Sequence, residues 1–171
     1  LWVIDGVTMQ KNNSSVVYAG LGAMFPISEG YSIIPYNYGI FRMNLYSFEA
    51  VQVQKTTKMS TAYNSIIMGD KLIFNSAMLS ESKVSYYSVE EIIAAGKNEL
   101  GNGTQLDIMQ NGRINFVGDN NGVYTIGYEA PDYYIARINS DLTVTKVALP
   151  FTPLVEGYVV DNYYVTKNIV M

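Results

Sequence analysis

Two adjacent carboxylates, Glu90 and Glu91, are the residues in the sequence that come closest to a catalytic pair. Two carboxylates that flank one bond can act as acid and base in glycoside hydrolysis. Side chains at positions i and i+1 point apart on a strand or a helix, so these two do not converge on one bond. They stand at the beginning of a short helical pattern that Gly96 ends, and acidic side chains are favoured there. We interpret them as a solvated helix start.

The chain contains no His and no Cys. His is the commonest general base and the commonest metal ligand, and Cys supplies thiolate nucleophiles and thiolate ligands. Ser-His-Asp triads, zinc sites built on His pairs and disulfides are therefore impossible within these residues. Hydrolysis by carboxylates alone stays open. We expect that the segment is not an enzyme by itself and that it binds neither a cofactor nor a metal.

Charge and hydropathy exclude two further classes of function. The net charge is −4, and the 11 Lys and Arg residues are spread thinly along the chain. Without a basic stripe to replace the counterions of phosphates, sequence-specific binding of nucleic acid is not expected. No apolar run approaches the roughly 20 residues that a membrane-crossing helix needs. We therefore predict no membrane span.

Aromatic side chains are the remaining candidates for a binding surface. The chain has 15 Tyr, and Tyr is enriched at protein interfaces as well as between packed sheets. The cluster Tyr36, Asn37 and Tyr38 stands in an apparent turn between Pro35 and Gly39. We predict that this cluster is exposed and forms an interaction surface, whereas most other Tyr side chains fill space between sheets.

The elements that position these residues are short β-strands. Apolar and β-branched runs alternate with Gly, Asn, Asp and Pro, which is typical of strands joined by tight turns. Asp119 to Gly122, for example, is typical of a hairpin turn. The predicted strands are Leu1–Asp5, Ser15–Leu21, Tyr31–Tyr36, Ile40–Leu45, Ala50–Gln54, Asn64–Met68, Lys71–Ser76, Lys83–Val89, Thr104–Ile108, Arg113–Val117, Gly122–Tyr128, Tyr134–Asn139, Thr143–Leu149, Val155–Val160 and Tyr163–Lys167.

One strand motif recurs along the chain. Ile40–Asn44 and Ile135–Asn139 share the pattern Ile-x-Arg-apolar-Asn, and Val84–Ser88 is an equivalent strand between them. The two copies lie about two blade repeats apart, a repeat being roughly 40–50 residues. The sequence therefore predicts an all-β fold of consecutive four-stranded antiparallel blades of a β-propeller. A β-sandwich is the alternative, although it does not account for the recurrence.

We expect a single β-propeller region over residues 1–171, with whole blades at residues 13–58, 59–110 and 111–152 and half-blades at residues 1–12 and 153–171. Half-blades at both ends would leave apolar strand edges unpaired. Either the strands Leu1–Asp5 and Tyr163–Lys167 pair with each other and close a small ring, or further chain covers both edges. We favour the second arrangement, a fragment of a larger propeller.

A family resemblance adds a hypothesis about function. Strands and loops follow in a fixed order between Gly69 and Tyr128, namely Lys71–Phe74, Lys83–Ser88, Gly101–Gly103, Leu106–Ile108 and Asn121–Ile126. This order resembles the propeller segment of the tail nozzle (tail tubular B-like) proteins of short-tailed phages. The resemblance implies a structural part of a virion that surrounds DNA without catalysis.

Two functions therefore remain open, both of them non-enzymatic. The first is a structural or interaction module, as in a virion tail, that contacts other protein subunits or the rest of its own chain. The alternative is a secreted or cell-surface bacterial propeller that binds a small ligand or a glycan. The corresponding locations are the virion and the bacterial cell surface or extracellular space.

Overall fold

The structure is a computed structural model that describes residues 2–4, 11–14, 24–27, 30–36, 39–55, 65–75, 81–111 and 116–150. Those residues form fourteen β-strands and one short helix. The strands are β1 (Trp2–Ile4), β2 (Lys11–Ser14), β3 (Phe25–Ile27), β4 (Tyr31–Tyr36), β5 (Gly39–Asn44), β6 (Ala50–Lys55), β7 (Ser65–Met68), β8 (Lys71–Asn75), β9 (Glu81–Ser88), β10 (Thr104–Asn111), β11 (Val117–Asp119), β12 (Gly122–Glu129), β13 (Asp132–Asn139) and β14 (Val144–Ala148), and the helix is α1 (Val89–Ala94).

Twelve of these strands form three sheets of four antiparallel strands each, in which neighbours in sequence are neighbours in space. The first blade contains β3 to β6, the second β7 to β10, and the third β11 to β14. β1 pairs with β2 in a separate two-stranded sheet. Successive four-stranded meanders of this kind are the unit of a β-propeller. The predicted all-β, propeller-like fold is confirmed, and a two-sheet sandwich does not fit three consecutive meanders.

Two apolar clusters hold the blades face to face. The buried members of the cluster between the first and second blades are Ile33, Ile40, Val53, Leu72, Phe74, Tyr87, Ile92 and Ala95. Those of the cluster between the second and third blades are Met68, Ile73, Val84, Leu106, Ile108, Val123, Tyr134, Ala136 and Ile138. Side chains alternate between the two faces of a strand. Each face of the second blade therefore packs against a different neighbour.

The recurring motif occupies the same place in each blade. β5, β9 and β13 are each the third strand of their sheet. Their last residues, Asn44, Ser88 and Asn139, pair with the first residue of the preceding strand in each case. Counting back two residues from that pair gives Arg42, Tyr86 and Arg137. These three side chains are equivalent by register, as the motif predicts.

Most predicted strands within the described residues are found to within a few residues, and so is the helix before Gly96. Gly96 to Gly103 is the predicted loop between the third and fourth strands of the second blade. β2 and β3 were missed, because Lys11–Ser14 is a polar run of the kind found in turns, and Phe25–Ile27 contains Pro26 and gives no alternating pattern. The predicted strands Ser15–Leu21, Val155–Val160 and Tyr163–Lys167 lie outside the described residues.

β1 pairs with β2, but its predicted alternative partner, residues 163–167, lies outside the described residues. The fragment hypothesis and the predicted blade limits therefore stay predictions. Within the part of the chain that the structure describes, no helix is both long and apolar enough to cross a membrane.

Candidate functional site

The predicted Tyr surface is only partly visible. Tyr36 is the last residue of β4, where its backbone pairs with Gly39. Its side chain lies outside the described residues, and so do Asn37 and Tyr38. The interaction surface predicted there stays a prediction.

Glu90 and Glu91 lie in the first turn of α1, as predicted for a helix start. The Glu91 backbone N–H donates to the Ser88 hydroxyl at 3.1 Å, and the Ser88 backbone N–H donates to the Glu91 carboxylate at 2.7 Å. This reciprocal pair is a capping box, which satisfies amides that the first turn leaves without partners. The bond from the Ser88 amide lowers the pKa of Glu91. Glu91 therefore stabilises the helix, and Glu90 is exposed beside it.

The other end of α1 is held by Arg42 from the preceding blade. One guanidinium nitrogen of Arg42 donates to the carbonyl oxygens of Ile92 at 3.4 Å and Ala95 at 3.1 Å, and also to that of Ile93. The C-terminal carbonyls of a helix lack intrahelical partners and carry partial negative charge. The last turn of α1 contains no basic residue. The first blade therefore supplies the cation that caps the helix of the second.

The loop that follows α1 in the second blade also forms hydrogen bonds with β6 of the first blade. The backbone N–H groups of Asn98 and Leu100 donate to the carbonyls of Gln52 at 2.8 Å and Val53 at 3.0 Å. The buried Gln54 amide donates to the Tyr87 hydroxyl at 2.8 Å and to the Gly101 carbonyl at 3.1 Å. Main-chain bonds of this kind pair an edge strand that would otherwise stay open.

Arg137, the register equivalent of Arg42, faces a cavity. Its guanidinium lies 5.7 Å from the centroid of the Tyr124 ring, a distance at which a cation is attracted to an aromatic face. A cavity of about 240 Å³ lies beside it, lined by Val117, Gly118, Asp119, Asn121, Gly122, Tyr124 and Arg137. We call it the Arg137 cavity. Among the described residues, no acceptor forms a hydrogen bond with the Arg137 guanidinium.

A lysine joins the outer strands of the second and third blades. The Lys146 ammonium lies 3.0 Å from the Asp107 carboxylate of β10 and 2.7 Å from that of Glu129. It also lies 4.9 Å from the centroid of the Tyr134 ring. That ring packs over Gly127, where a Cβ atom would come within 2.1 Å of a ring carbon. The bond to Glu129 raises the pKa of Lys146, so the ammonium stays charged at any physiological pH.

A buried polar chain joins the same two blades internally. Asn75, Gln110 and Thr125 are each fully buried. The Asn75 side-chain amide donates to the Gln110 side-chain oxygen, and the Gln110 amide donates to the Thr125 hydroxyl. Buried polar side chains are costly unless such partners satisfy them. The chain therefore fixes how the second blade sits against the third.

The sequence identified Arg42 and Arg137 as members of the recurring Ile-x-Arg-apolar-Asn motif. It did not predict which groups these two arginines contact. A usable signal was present, because each arginine stands two residues after an isoleucine on the same strand face. A charge in that position needs a partner or exposure. The partner itself could not be inferred, since it lies about 50 residues further along the chain.

No protein-family model and no curated protein matches the chain. A solved structure does, a quinonprotein alcohol dehydrogenase-like protein from Bacteroides thetaiotaomicron. The two are 36% identical with a TM-score of 0.72, over 92% of this chain. The chain spans 38% of that protein's length. The match supports the propeller-like fold, and the resemblance to phage tail nozzle proteins finds no support.

The name of the solved relative refers to enzymes that use a quinone. Within the described ranges, no group of three or more His, Cys, Asp and Glu side chains is placed to hold a metal ion. Arg42 and Arg137 stand at equivalent positions of different blades and do not converge on one ligand. The chain is similar to a quinonprotein alcohol dehydrogenase-like protein over 92% of its length.

Proposed function

We propose that this chain is a non-enzymatic structural and interaction module of a bacterial propeller protein. The face of its third blade that points away from the second blade packs against a further β-sheet in this proposal. It is equivalent to the face by which the first blade packs against the second, and to the face by which the second packs against the third. The observation that carries this proposal is the register of the recurring motif. Ile40 beside Arg42 packs against the second blade, and Val84 beside Tyr86 packs against the third.

The equivalent surface of the third blade is its distal face, which we define by Tyr124, Ile126, Ile135, Arg137 and Val147. Val123, Thr125, Ala136 and Ile138 contact the second blade, so the alternate residues of the same strands point the other way. Ile126 contributes to a small apolar cluster there together with Tyr133 and the partly buried Tyr124. Val147 is 60% exposed. An apolar and aromatic face with one arginine is typical of a protein interface.

The partner is either another protein subunit or the rest of the same chain. The solved relative comes from a bacterium, which favours a bacterial propeller over a virion component. The bacterial cell surface or the extracellular space is the location that belongs to this alternative, as inferred from the sequence.

A second candidate function, binding of a small ligand or a glycan, is favoured by the Arg137 cavity. The Tyr124 ring and the Asn121 amide line it together with the guanidinium, and this mixture suits a small polar molecule. Its volume of about 240 Å³ is below the roughly 300–1,000 Å³ of ordinary ligand pockets. The cavity therefore fits part of a polypeptide better than a separate ligand.

Val147→Lys tests the distal face. Ile126 is already buried within the chain, and the exposed part of this face lies around Arg137 and Val147. In the 171-residue chain that exposed part is expected to pair with a second copy, so sedimentation velocity should show concentration-dependent association. A lysine at Val147 would have to lose its hydration in that interface, and we expect the association to disappear. Ala148→Lys is the matched control, because Ala148 is the exposed neighbour that points to the opposite side of β14. Association that is absent, or that V147K leaves unchanged, would contradict the proposal.

The isolated chain is also expected to be catalytically inert. A broad hydrolase screen and a dye-linked alcohol oxidation assay should give no turnover above buffer. The reason is that His and Cys are absent and that Glu91, Asp107 and Glu129 are engaged in structural contacts. Turnover that disappears on substitution of one Asp or Glu would overturn the non-enzymatic proposal.

A further inference from the structure

We propose that the first blade carries a binding site for a neutral sugar at the turn between β5 and β6. The site, which we call the Tyr46 site, consists of the Tyr46 ring and of a recess lined by Tyr31, Arg42, Asn44, Glu49 and Val51. It is separate from the Arg137 cavity and lies on a different blade from the distal face. The inference therefore goes beyond the proposed function and does not rest on it.

The Tyr46 ring is exposed and yet held in place. Tyr46 is 82% exposed, and its ring packs against Gly30, where a Cβ atom would come within 2.1 Å of a ring carbon. The backbone N–H of Tyr46 donates to the Asn44 side-chain oxygen at 2.8 Å, and that of Leu45 donates to the Gly30 carbonyl at 2.6 Å. A ring that is fixed in this way loses little conformational freedom when a ligand stacks on it.

The equivalent turn of the third blade shows that the fold does not require this aromatic side chain. Asn44 and Asn139 end the third strand of their blades at the same register. The Asn139 backbone N–H donates to the carbonyl of Thr143, whereas that of Asn44 donates to the carbonyl of Glu49. The turn of the first blade is therefore one residue longer. The shorter turn contains no aromatic residue, and the longer one carries Tyr46.

The recess offers a donor and an acceptor for one hydroxyl group. The Asn44 side-chain oxygen already accepts from the backbone N–H groups of Tyr46 and Ser47. Its NH₂ group has no acceptor among the described residues. The Glu49 carboxylate lines the same recess and forms no ion pair with a described residue. Because a hydroxyl both donates and accepts, one sugar hydroxyl can pair with the amide and the carboxylate together.

Charge and stacking favour a neutral sugar. The Glu49 carboxylate repels acidic sugars and phosphates, because like charges at close range disfavour binding. The face of an aromatic ring carries partial negative charge, so it attracts the weakly positive C–H groups on one side of a pyranose. An aromatic side chain of a peptide could stack as well, but it would desolvate the Asn44 amide and the Glu49 carboxylate without replacing their hydrogen bonds.

The size of the recess sets how much of the ligand is enclosed. It measures about 120 Å³, below the roughly 300–1,000 Å³ of closed ligand pockets. It therefore receives the hydroxyl-bearing edge of one sugar unit, and the rest of that unit lies on the exposed Tyr46 ring. We expect so open a site to bind a single sugar with a dissociation constant of roughly 1 mM.

The test is a nuclear magnetic resonance titration of the protein with the methyl glycosides of glucose, galactose, mannose and N-acetylglucosamine. At least one of them should bind, and its C–H resonances should move upfield, because stacking places these protons over the ring. Tyr46→Ala should weaken this binding by about 5- to 100-fold, as expected when an aromatic stacking partner is lost. Tyr46→Trp keeps a flat ring and should retain both the binding and the upfield shift.

Two further variants separate the site from effects on folding and from the distal face. Tyr46→Ala should leave the melting temperature unchanged, since Tyr46 is a surface residue. Glu49→Ala removes the acceptor without touching the ring and should also weaken binding. Val147→Lys, on the third blade, should leave sugar binding unchanged, so the Tyr46 site and the distal face can fail separately.

Three results would overturn the inference. The first is that no glycoside binds, or that only an aromatic peptide does. The second is binding that Tyr46→Ala leaves intact. The third is tighter binding of glucuronic acid than of glucose, because the Glu49 carboxylate would then not face the ligand.

Discussion

Replacing Arg42 with Met is expected to lower the free energy of unfolding by about 2–3 kcal/mol, since hydrogen bonds to charged groups contribute about 1.5–3 kcal/mol. The substitution keeps the aliphatic length of the side chain and removes the donors to the carbonyls of Ile92, Ile93 and Ala95. The end of α1 would lose both its hydrogen bonds and the charge that complements its dipole. Melting followed by circular dichroism should show a decrease of roughly 5–10 °C for a chain of this length.

Arg137→Met is the matched control in the 171-residue chain. Arg137 has the same register and also lies over a tyrosine ring, but no helix end contacts it in the described residues. Its ring belongs to its direct cross-strand partner Tyr124, whereas the ring beside Arg42 belongs to Tyr31, which pairs with Asn44. Its removal should change stability by no more than about 0.5 kcal/mol, as is usual for surface substitutions. Equal losses for the two variants would show that the α1 contact adds nothing, and the blade-to-blade account of Arg42 would fail.

Replacing Gln110 with Met is expected to cost about 2–4 kcal/mol, because a buried hydrogen bond contributes about 1 kcal/mol and a desolvated partner adds to the loss. Met has nearly the volume of Gln, so the cavity contribution stays small. The variant removes the bonds to Asn75 and Thr125 that join the second and third blades. Chemical denaturation should show a lower midpoint with an unchanged slope.

Gln105→Met on the same strand is the control for Gln110→Met. Gln105 is exposed, so this variant tests the change of residue type without the loss of a buried contact. Gln105→Met should not change the midpoint of chemical denaturation. If Gln110→Met and Gln105→Met behave alike, the polar chain does not contribute to the packing of the two blades.

The strands and the repeat could be predicted because their signals are local. Alternating apolar residues in Asp132–Asn139 and a turn at Asp119 to Gly122 define a hairpin without knowledge of the rest. The Ile-x-Arg-apolar-Asn motif then identified third strands of two blades, since equivalent strands carry equivalent patterns. The capping box at Ser88 and Glu91 belongs to the same class of local signal.

The candidate site could not be predicted, because it depends on contacts between blades. Arg42 binds carbonyls about 50 residues away, and any residue type presents a carbonyl. Gln110 is fully buried in β10 beside exposed Gln105, and only the arrangement of three strands explains it. Neither partner leaves a pattern in the sequence. Arg42 and Arg137 occupy the same register position in their blades. That position is known only once the pairing of the strands is known.

An experimental structure of the assembled protein tests the central claim most directly, namely that successive blades are coupled through the face that carries Arg42, Tyr86 and Arg137. The account predicts a further four-stranded sheet packed on Ile135 and Val147. A distal face that contacts only solvent or an unrelated element would contradict it.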